Sequence, residues 1–203
     1  KTFDELEKKF GQNEAFTLNK IKLLKQLKKT SEVEVEFKKL IASNPNEIRY
    51  YTYLSEFYQE INQNDKAMST YQEALKRDPK NPIIHLALAD YYKSINDKEN
   101  FYKELKVAFE NPDLDVETKV KILASYYELI DTSEEYKQQA NELLAISLKL
   151  HPSSAEIHSM QADFLIKEKK LAEARHEYEE AIKLDKSSYA IWNQLMSLEA
   201  ELG

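Results

Sequence analysis

The sequence contains no cysteine, and it has only two glycines and five prolines among 203 residues. The absence of cysteine excludes disulfides, thiolate nucleophiles and cysteine-bound metals, but it leaves the redox compartment open. Because the two glycines are Gly11 and Gly203, no glycine-rich loop can cradle a phosphate group. The scarcity of glycine and proline, together with 32% charged residues, favours long helices joined by short connections.

Long apolar runs are missing as well, since the longest hold only three or four residues. No segment could therefore span a membrane, and none resembles the apolar core of a signal peptide. The chain begins at Lys1 and ends at Gly203, soon after a helical pattern starts, so we expect a piece of a longer protein with any targeting signal outside it. Localisation stays open between cytoplasm and periplasm, and the richness in lysine, asparagine and tyrosine is typical of an AT-rich bacterial genome.

Acidic side chains prevail over basic ones, 36 against 29, which gives a net charge of −7. Such a chain repels phosphate backbones and anionic lipid surfaces, so we expect neither nucleic-acid binding nor membrane insertion. The four histidines lack the spacing of metal ligands, and no motif of a catalytic nucleophile is present. The sequence therefore predicts no catalytic residue, no cofactor and no metal.

A repeat of 34 residues runs through the sequence. The stretches NPNEIRYYTYLSEFY and DPKNPIIHLALADYY align when Pro45 is placed on Pro79. The first copy carries a row of large and small residues at fixed spacing: Tyr51, Leu54, Ser55, Tyr58, Ala67, Tyr71 and Ala74. This row resembles the pattern of the tetratricopeptide repeat (TPR) family at nearly every characteristic position.

Three further copies and part of a fifth keep the same phase. Their first helices would place these residues at the four characteristic positions: His85, Leu88, Ala89 and Tyr92; Val120, Leu123, Ala124 and Tyr127; His158, Gln161, Ala162 and Leu165. The third copy carries an insertion near DTSEEYKQQ, since 40 residues separate Pro112 from Pro152. The partial fifth copy begins at Trp192 and Leu195.

The resemblance implies an all-α fold, a right-handed superhelical TPR solenoid of antiparallel helix pairs with about 11–12 helices. We expect one continuous solenoid domain. Its predicted segments are degenerate TPR-like helices at 1–46, TPRs at 47–80 and 81–113, a long TPR with the insertion at 114–153, a TPR at 154–187, and the first helix of a truncated repeat at 188–203.

Small side chains are expected where the two helices of a pair cross, because a large one would force the backbones apart. On the first helices these residues are Ser55, Ala89, Ala124 and Ala162. Asn62 and Asn96 stand in the turn within a pair, where the family usually has glycine and where asparagine tolerates a left-handed backbone. Asn81 and Ser154 each precede an apolar-periodic run and are predicted N-caps.

Five aromatic rings crowd the stretch RYYTYLSEFYQ, and they could form either a stacking platform for a ligand or part of the core. In the repeat register four of its residues face the partner helix or the next repeat: Tyr51, Leu54, Phe57 and Tyr58. Recurrence in phase is typical of a core, so we expect packing. Tyr53 falls on the concave face and, with Tyr50, is predicted to be exposed.

The resemblance implies a non-catalytic scaffold for protein–protein interaction, which binds a partner peptide or helix in its concave groove. The predicted groove residues are Arg49, Thr52, Tyr53, Glu56, Leu86, Ala87, Asp90, Lys121, Ser125, Ser159, Met160 and Asp163. One TPR subclass clamps the carboxylates of chaperone tails with lysine, asparagine and arginine, and the matching positions here lack that set. An acidic peptide would also meet Glu56, Asp90 and Asp163 unfavourably.

Two other functions stay open on the sequence alone. The chain could be the docking or regulatory part of a larger enzyme, or an RNA-binding helical repeat, against which the net acidity counts. Self-association is a further expectation, because Trp192, Leu195 and Leu198 would be exposed with no following helix to cover them.

Overall fold

The computed structural model describes residues 13–202, which form eleven α-helices and no strand. In chain order the helices are α1 (Glu14–Gln26), α2 (Thr30–Ser43), α3 (Ile48–Glu60), α4 (Asn64–Arg77), α5 (Pro82–Ser94), α6 (Lys98–Glu110), α7 (Val116–Tyr127), α8 (Glu134–Leu150), α9 (Ala155–Lys167), α10 (Leu171–Leu184) and α11 (Tyr189–Leu202). The all-α prediction is confirmed. The first twelve residues of the predicted N-terminal segment, and Gly203, lie outside the described residues.

The chain divides into two compact units, and the boundary between them falls inside α5. In the N-terminal unit, which ends at Leu88, α1 packs on α2, α2 on α3 and α3 on α4. In the C-terminal unit, which begins at Ala89, α7 packs on α8, α8 on α9, α9 on α10 and α10 on α11, while α6 also packs on α8 and α7 on α9. Consecutive helices thus pack on one another within each unit, while the predicted repeat boundaries stay a prediction.

Four of the helix pairs share one type of connecting turn. Each turn contains one non-glycine residue with positive φ: Lys28 (55°), Asn62 (58°), Asn96 (59°) and Lys169 (60°). The next backbone N–H reaches back to a carbonyl near the helix end, as Gln63 N–H does to Tyr58 O at 2.8 Å, and so satisfies a terminal acceptor. The prediction of a left-handed backbone at Asn62 and Asn96 is confirmed.

The pair α7/α8 is connected differently. Residues 128–133 link the two helices without a positive φ, and α8 has 17 residues, more than any other described helix. The additional residues of the third repeat are thus divided between a longer linker and a longer second helix.

Two predicted N-caps are confirmed. The Asn81 side-chain Oδ1 accepts from Ile83 N–H at 3.0 Å, and Ser154 Oγ accepts from Ile157 N–H at 3.3 Å. Each bond satisfies an amide that has no partner within its helix.

A side-chain donor near the start of four first helices reaches back to the backbone carbonyl six residues earlier. The donor and acceptor atoms are Tyr51 Oη and Pro45 O (3.0 Å), His85 Nε2 and Pro79 O (3.0 Å), His158 Nε2 and Pro152 O (3.1 Å), and Trp192 Nε1 and Lys186 O (3.2 Å). We call these four side chains the tether residues. Because a carbonyl oxygen only accepts, the two histidines carry a proton on Nε2.

The equivalent residue of α7 is Lys119, which lies 34 residues after His85 and is fully buried. The repeat pattern predicted Val120 at this place, so the predicted register of the third repeat is wrong by one residue. Ala124, the predicted crossing residue, is exposed, whereas Leu123 is fully buried. Burial of Leu123 removes more apolar surface from water than burial of Ala124 would, and this favours the observed register.

Each unit has its own apolar cluster. In the N-terminal unit the cluster joins residues from α1, α2, α3 and α4: Ile21, Leu24, Val33, Phe37, Leu40, Tyr50, Leu54, Phe57, Tyr58 and Ala67. In the C-terminal unit it joins residues from α9, α10 and α11: Ala155, Ala162, Leu165, Ala174, Tyr178, Ala181, Ile182, Ile191 and Leu198. The other predicted crossing residues, Ser55, Ala89 and Ala162, are buried, as close helix packing requires.

Candidate functional site

The aromatic stretch on α3 is mostly core. Four of its five rings are buried, belonging to Tyr50, Tyr51, Phe57 and Tyr58, and only Tyr53 is exposed, at 38%. The prediction that Tyr50 is exposed is wrong, because its ring packs in the N-terminal cluster and the Arg49 guanidinium lies 5.3 Å from the ring centroid. A single exposed ring is too little for a stacking platform on this helix.

Tyr53 borders a cleft of about 400 Å³ between α1 and α3. We call it the α1/α3 cleft; it is lined by Leu18, Ile21, Lys22, Lys25, Gln26, Phe37, Tyr53, Glu56 and Glu60. The lining residues of each helix are three or four positions apart, so they share one face of that helix. Tyr53 and Glu56 were predicted from the sequence, whereas the contribution of α1 was not.

The rim of the α1/α3 cleft carries opposite charges on its two sides. Lys22 and Lys25 lie on α1, and Glu56 and Glu60 lie on α3. The Lys25 Nζ contacts Glu60 Oε2 at 2.5 Å, with both side chains partly exposed. An ion pair of this kind is screened by water and is readily exchanged for another partner.

The two remaining candidates on α3 have different surroundings. Arg49 is exposed and pairs with Glu14 Oε2 at 3.1 Å and with Glu47 Oε1 at 3.4 Å. Thr52 is buried, and its hydroxyl donates to Arg49 O at 2.8 Å. The prediction that Thr52 lines a groove is therefore wrong, because its side chain turns back on its own helix.

The predicted residues on α5 and α7 differ in exposure. Leu86 and Ala87 are half-buried, and Asp90 is exposed. On α7, Lys121 pairs with Glu117 at 2.6 Å, and the Ser125 hydroxyl donates to Lys121 O at 3.2 Å; both residues are exposed. Their role in binding stays a prediction.

The candidates on α9 are joined in a polar network with two neighbouring helices. Asp163 Oδ1 accepts from Tyr178 Oη at 2.5 Å and from Gln194 Nε2 at 3.2 Å, while Ser159 Oγ donates to Gln194 Oε1 at 3.2 Å. Burial raises the pKa of Asp163, and the hydrogen bond from Tyr178 opposes that rise. Met160 is half-buried beside them. These polar groups already have internal partners.

A buried pair of basic side chains was not predicted from the sequence. Lys119 Nζ lies 2.8 Å from His151 Nε2 and 3.4 Å from Asn111 O. Burial lowers the pKa of Lys119, which nearby Asp115 partly offsets. Burial and the positive charge of Lys119 lower the pKa of His151. The spacing of 34 residues from His85 was the signal that could have revealed this site.

The end of the C-terminal unit leaves several large side chains exposed on α11. Tyr189, Trp192 and Met196 are 77%, 43% and 66% exposed. Leu198, expected to be exposed with Trp192, is only 2% exposed because it packs in the cluster with α10. Self-association through the Trp192 end stays a prediction.

Within residues 13–202, no group of three histidine, cysteine or acidic side chains is placed to hold a metal ion. None of the helices described over that range has the length and apolarity needed to cross a membrane.

Comparison with known proteins agrees with the repeat pattern. A family model described as TPR repeat matches residues 56–95, and one described as tetratricopeptide repeat matches residues 137–190. No curated protein matches the chain.

Several solved structures are similar in fold. The yeast Tom70 crystal structure aligns with a TM-score of 0.59 and 20% identity over 98% of this chain and 42% of that one. Pseudomonas aeruginosa pilF aligns at 0.47 and 19%, over 100% of this chain and 92% of that one. A tetratricopeptide repeat protein from Parabacteroides merdae aligns at 0.47 and 12%, over 97% and 90%. The chain therefore spans less than half the length of the Tom70 chain.

The helix pairs, the recurring turns and the Tom70 likeness define a class of all-helical repeat proteins that resemble solenoids. With the two matching family models, the chain belongs to the tetratricopeptide repeat family. Its repeats support a role as a protein-interaction scaffold.

Proposed function

We propose that the chain is a non-catalytic scaffold that binds a peptide or helix of a partner protein in the α1/α3 cleft. The observation that carries the proposal is the exposed ring of Tyr53 beside a floor formed by Leu18, Ile21 and Phe37. An aromatic ring at the edge of an apolar cleft offers a large contact area at a small cost in side-chain entropy.

The dimensions and lining of the cleft support this function. A volume of about 400 Å³ is in the range of pockets that hold a ligand group, and the mixture of apolar floor and charged rim is typical of peptide sites. The remaining predicted residues of the first helices, Asp90, Lys121 and Met160 among them, would extend the binding surface only if a longer segment binds.

Affinity capture from a lysate of the source organism tests the proposal. The baits are the chain and its Tyr53→Ala variant, with Tyr189→Ala as the matched control, because Tyr189 is an exposed tyrosine on α11. We expect a partner that the chain and Tyr189→Ala capture and that Tyr53→Ala loses. Equal capture by all three baits would contradict a site at the α1/α3 cleft.

A further inference from the structure

The charges around the α1/α3 cleft indicate what kind of segment it binds. This inference rests on the proposed function and adds the chemistry of the ligand. Three features of the cleft carry it: the apolar floor, the Lys25–Glu60 ion pair across the rim, and the position of Lys22.

The floor requires an apolar side chain from the ligand. Ile21 and Phe37 are each only 4% exposed, and Leu18 is half-buried, so their remaining surface lies at the bottom of the cleft. A leucine, isoleucine or phenylalanine placed there would remove apolar surface of both partners from water.

The charges of the rim are unequally engaged. Glu60 is paired with Lys25, and Glu56 has an electrostatic or hydrogen-bonding contact of its own. Lys22 is exposed and forms no ion pair with the other residues of the described range 13–202. The cation on the α1 side is therefore the charge that is available to a ligand.

The rest of the protein limits how acidic the ligand can be. The net charge of −7 repels a run of carboxylates, and Glu56 and Glu60 form the opposite side of the same rim. One carboxylate directed toward α1 satisfies Lys22 without approaching the two glutamates.

We infer that the α1/α3 cleft binds a peptide segment in which an apolar anchor residue is accompanied by a single acidic residue that pairs with Lys22. The apolar anchor supplies most of the affinity, and the acidic residue sets the orientation of the segment, as charges at the rim of an interface do.

Selection from a random-peptide display library, with the whole chain as target, tests the inference. We expect selected peptides to share an apolar residue with aspartate or glutamate at a fixed distance. Lys22→Glu should weaken their binding about tenfold, and replacing the peptide acid by lysine should restore binding to Lys22→Glu. Lys76→Glu is the matched control, because Lys76 is exposed on α4, outside the cleft, and the change in net charge is the same.

The possible outcomes separate the two proposals. Peptides that bind Tyr53→Ala as well as they bind the chain, or a library that yields no binder, would overturn the proposed function and with it the inference. Peptides that need Tyr53 but bind Lys22→Glu and Lys76→Glu equally, or that carry a basic residue near the anchor, would overturn the inference alone. A dimer of the chain that Tyr53→Ala dissociates would identify a second copy as the occupant and would also overturn it.

Discussion

The first helices α7 and α9 have equivalent places in their pairs, yet they bury different residues there. On α9 the crossing residue is Ala162, and α9 and α10 approach each other along more of their length than α7 and α8 do. On α7 the fully buried residue at that place is Leu123. The difference teaches that the fold accepts a bulky residue at a helix crossing when the pair is allowed to open.

The same two helices differ in the charge near their first turns. His158 on α9 is a tether residue whose Nδ1 lies 2.7 Å from Glu177 Oε2. Lys119 on α7 instead places its ammonium against the ring of His151. One imidazole thus faces a carboxylate and the other faces a cation, although the helix pairs that hold them are alike.

Truncation of the α7 crossing residue should have the largest effect. Leu123→Ala removes a fully buried side chain, and we expect the free energy of unfolding to fall by about 2–5 kcal/mol in urea titrations. Ile122→Ala, at a half-buried neighbour, should cost less. Equal losses for the two variants would show that Leu123 is not the crossing residue.

Enlargement of the α9 crossing residue should cost about 1–3 kcal/mol, because Ala162→Leu forces α9 and α10 apart. Ala124→Leu is the matched change on α7, where the alanine is exposed, and we expect its effect to stay within about 0.5 kcal/mol. Comparable destabilisation by both substitutions, measured by chemical denaturation, would restore the register predicted from the sequence.

The buried basic pair should make stability depend on pH. Because the pKa of His151 is lowered in the fold, its contribution is present above the ordinary value of 6.5 and is lost as pH falls through the lower folded value. Melting temperatures between pH 8 and pH 5 should therefore fall more for the wild type than for His151→Gln. Lys119→Met should reduce the difference by removing the repulsion. Parallel curves for the wild type and His151→Gln would exclude this effect.

The smallest effect is expected at Lys121, two residues from Lys119. Its pair with Glu117 is fully solvated, with both side chains more than 70% exposed, so Lys121→Ala should leave the melting temperature unchanged within error. A clear loss of stability would mean that Lys121 has a role in packing that its exposure does not suggest.

The fold could be predicted because its information is local and repeated. The left-handed turns at Asn62 and Asn96 depend on a few neighbouring residues, and the helix pairs recur with a constant period. The register of α7 depends instead on distant acceptors, since Lys119 reaches Asn111 and His151. No periodicity within the helix contains that information.

The candidate site was predictable only on its α3 side. Tyr53 stands at a fixed offset from Tyr51 in a well-matched repeat, so its exposure followed from the register. Residues 14–46 depart from the repeat pattern, and the face of α1 that carries Lys22 and Lys25 could not be aligned with it. The polar network at Asp163 was missed because Gln194 is 31 residues away in sequence.

The tether residues have a practical consequence for dissecting this protein. A fragment that begins at the first residue of a first helix, such as Ile48 or Ala155, omits the carbonyl that its own tyrosine or histidine needs and leaves that donor without its acceptor. Fragments meant to fold alone should start before Pro45, Pro79 or Pro152, so that the smallest transferable module begins in the turn and not in the helix.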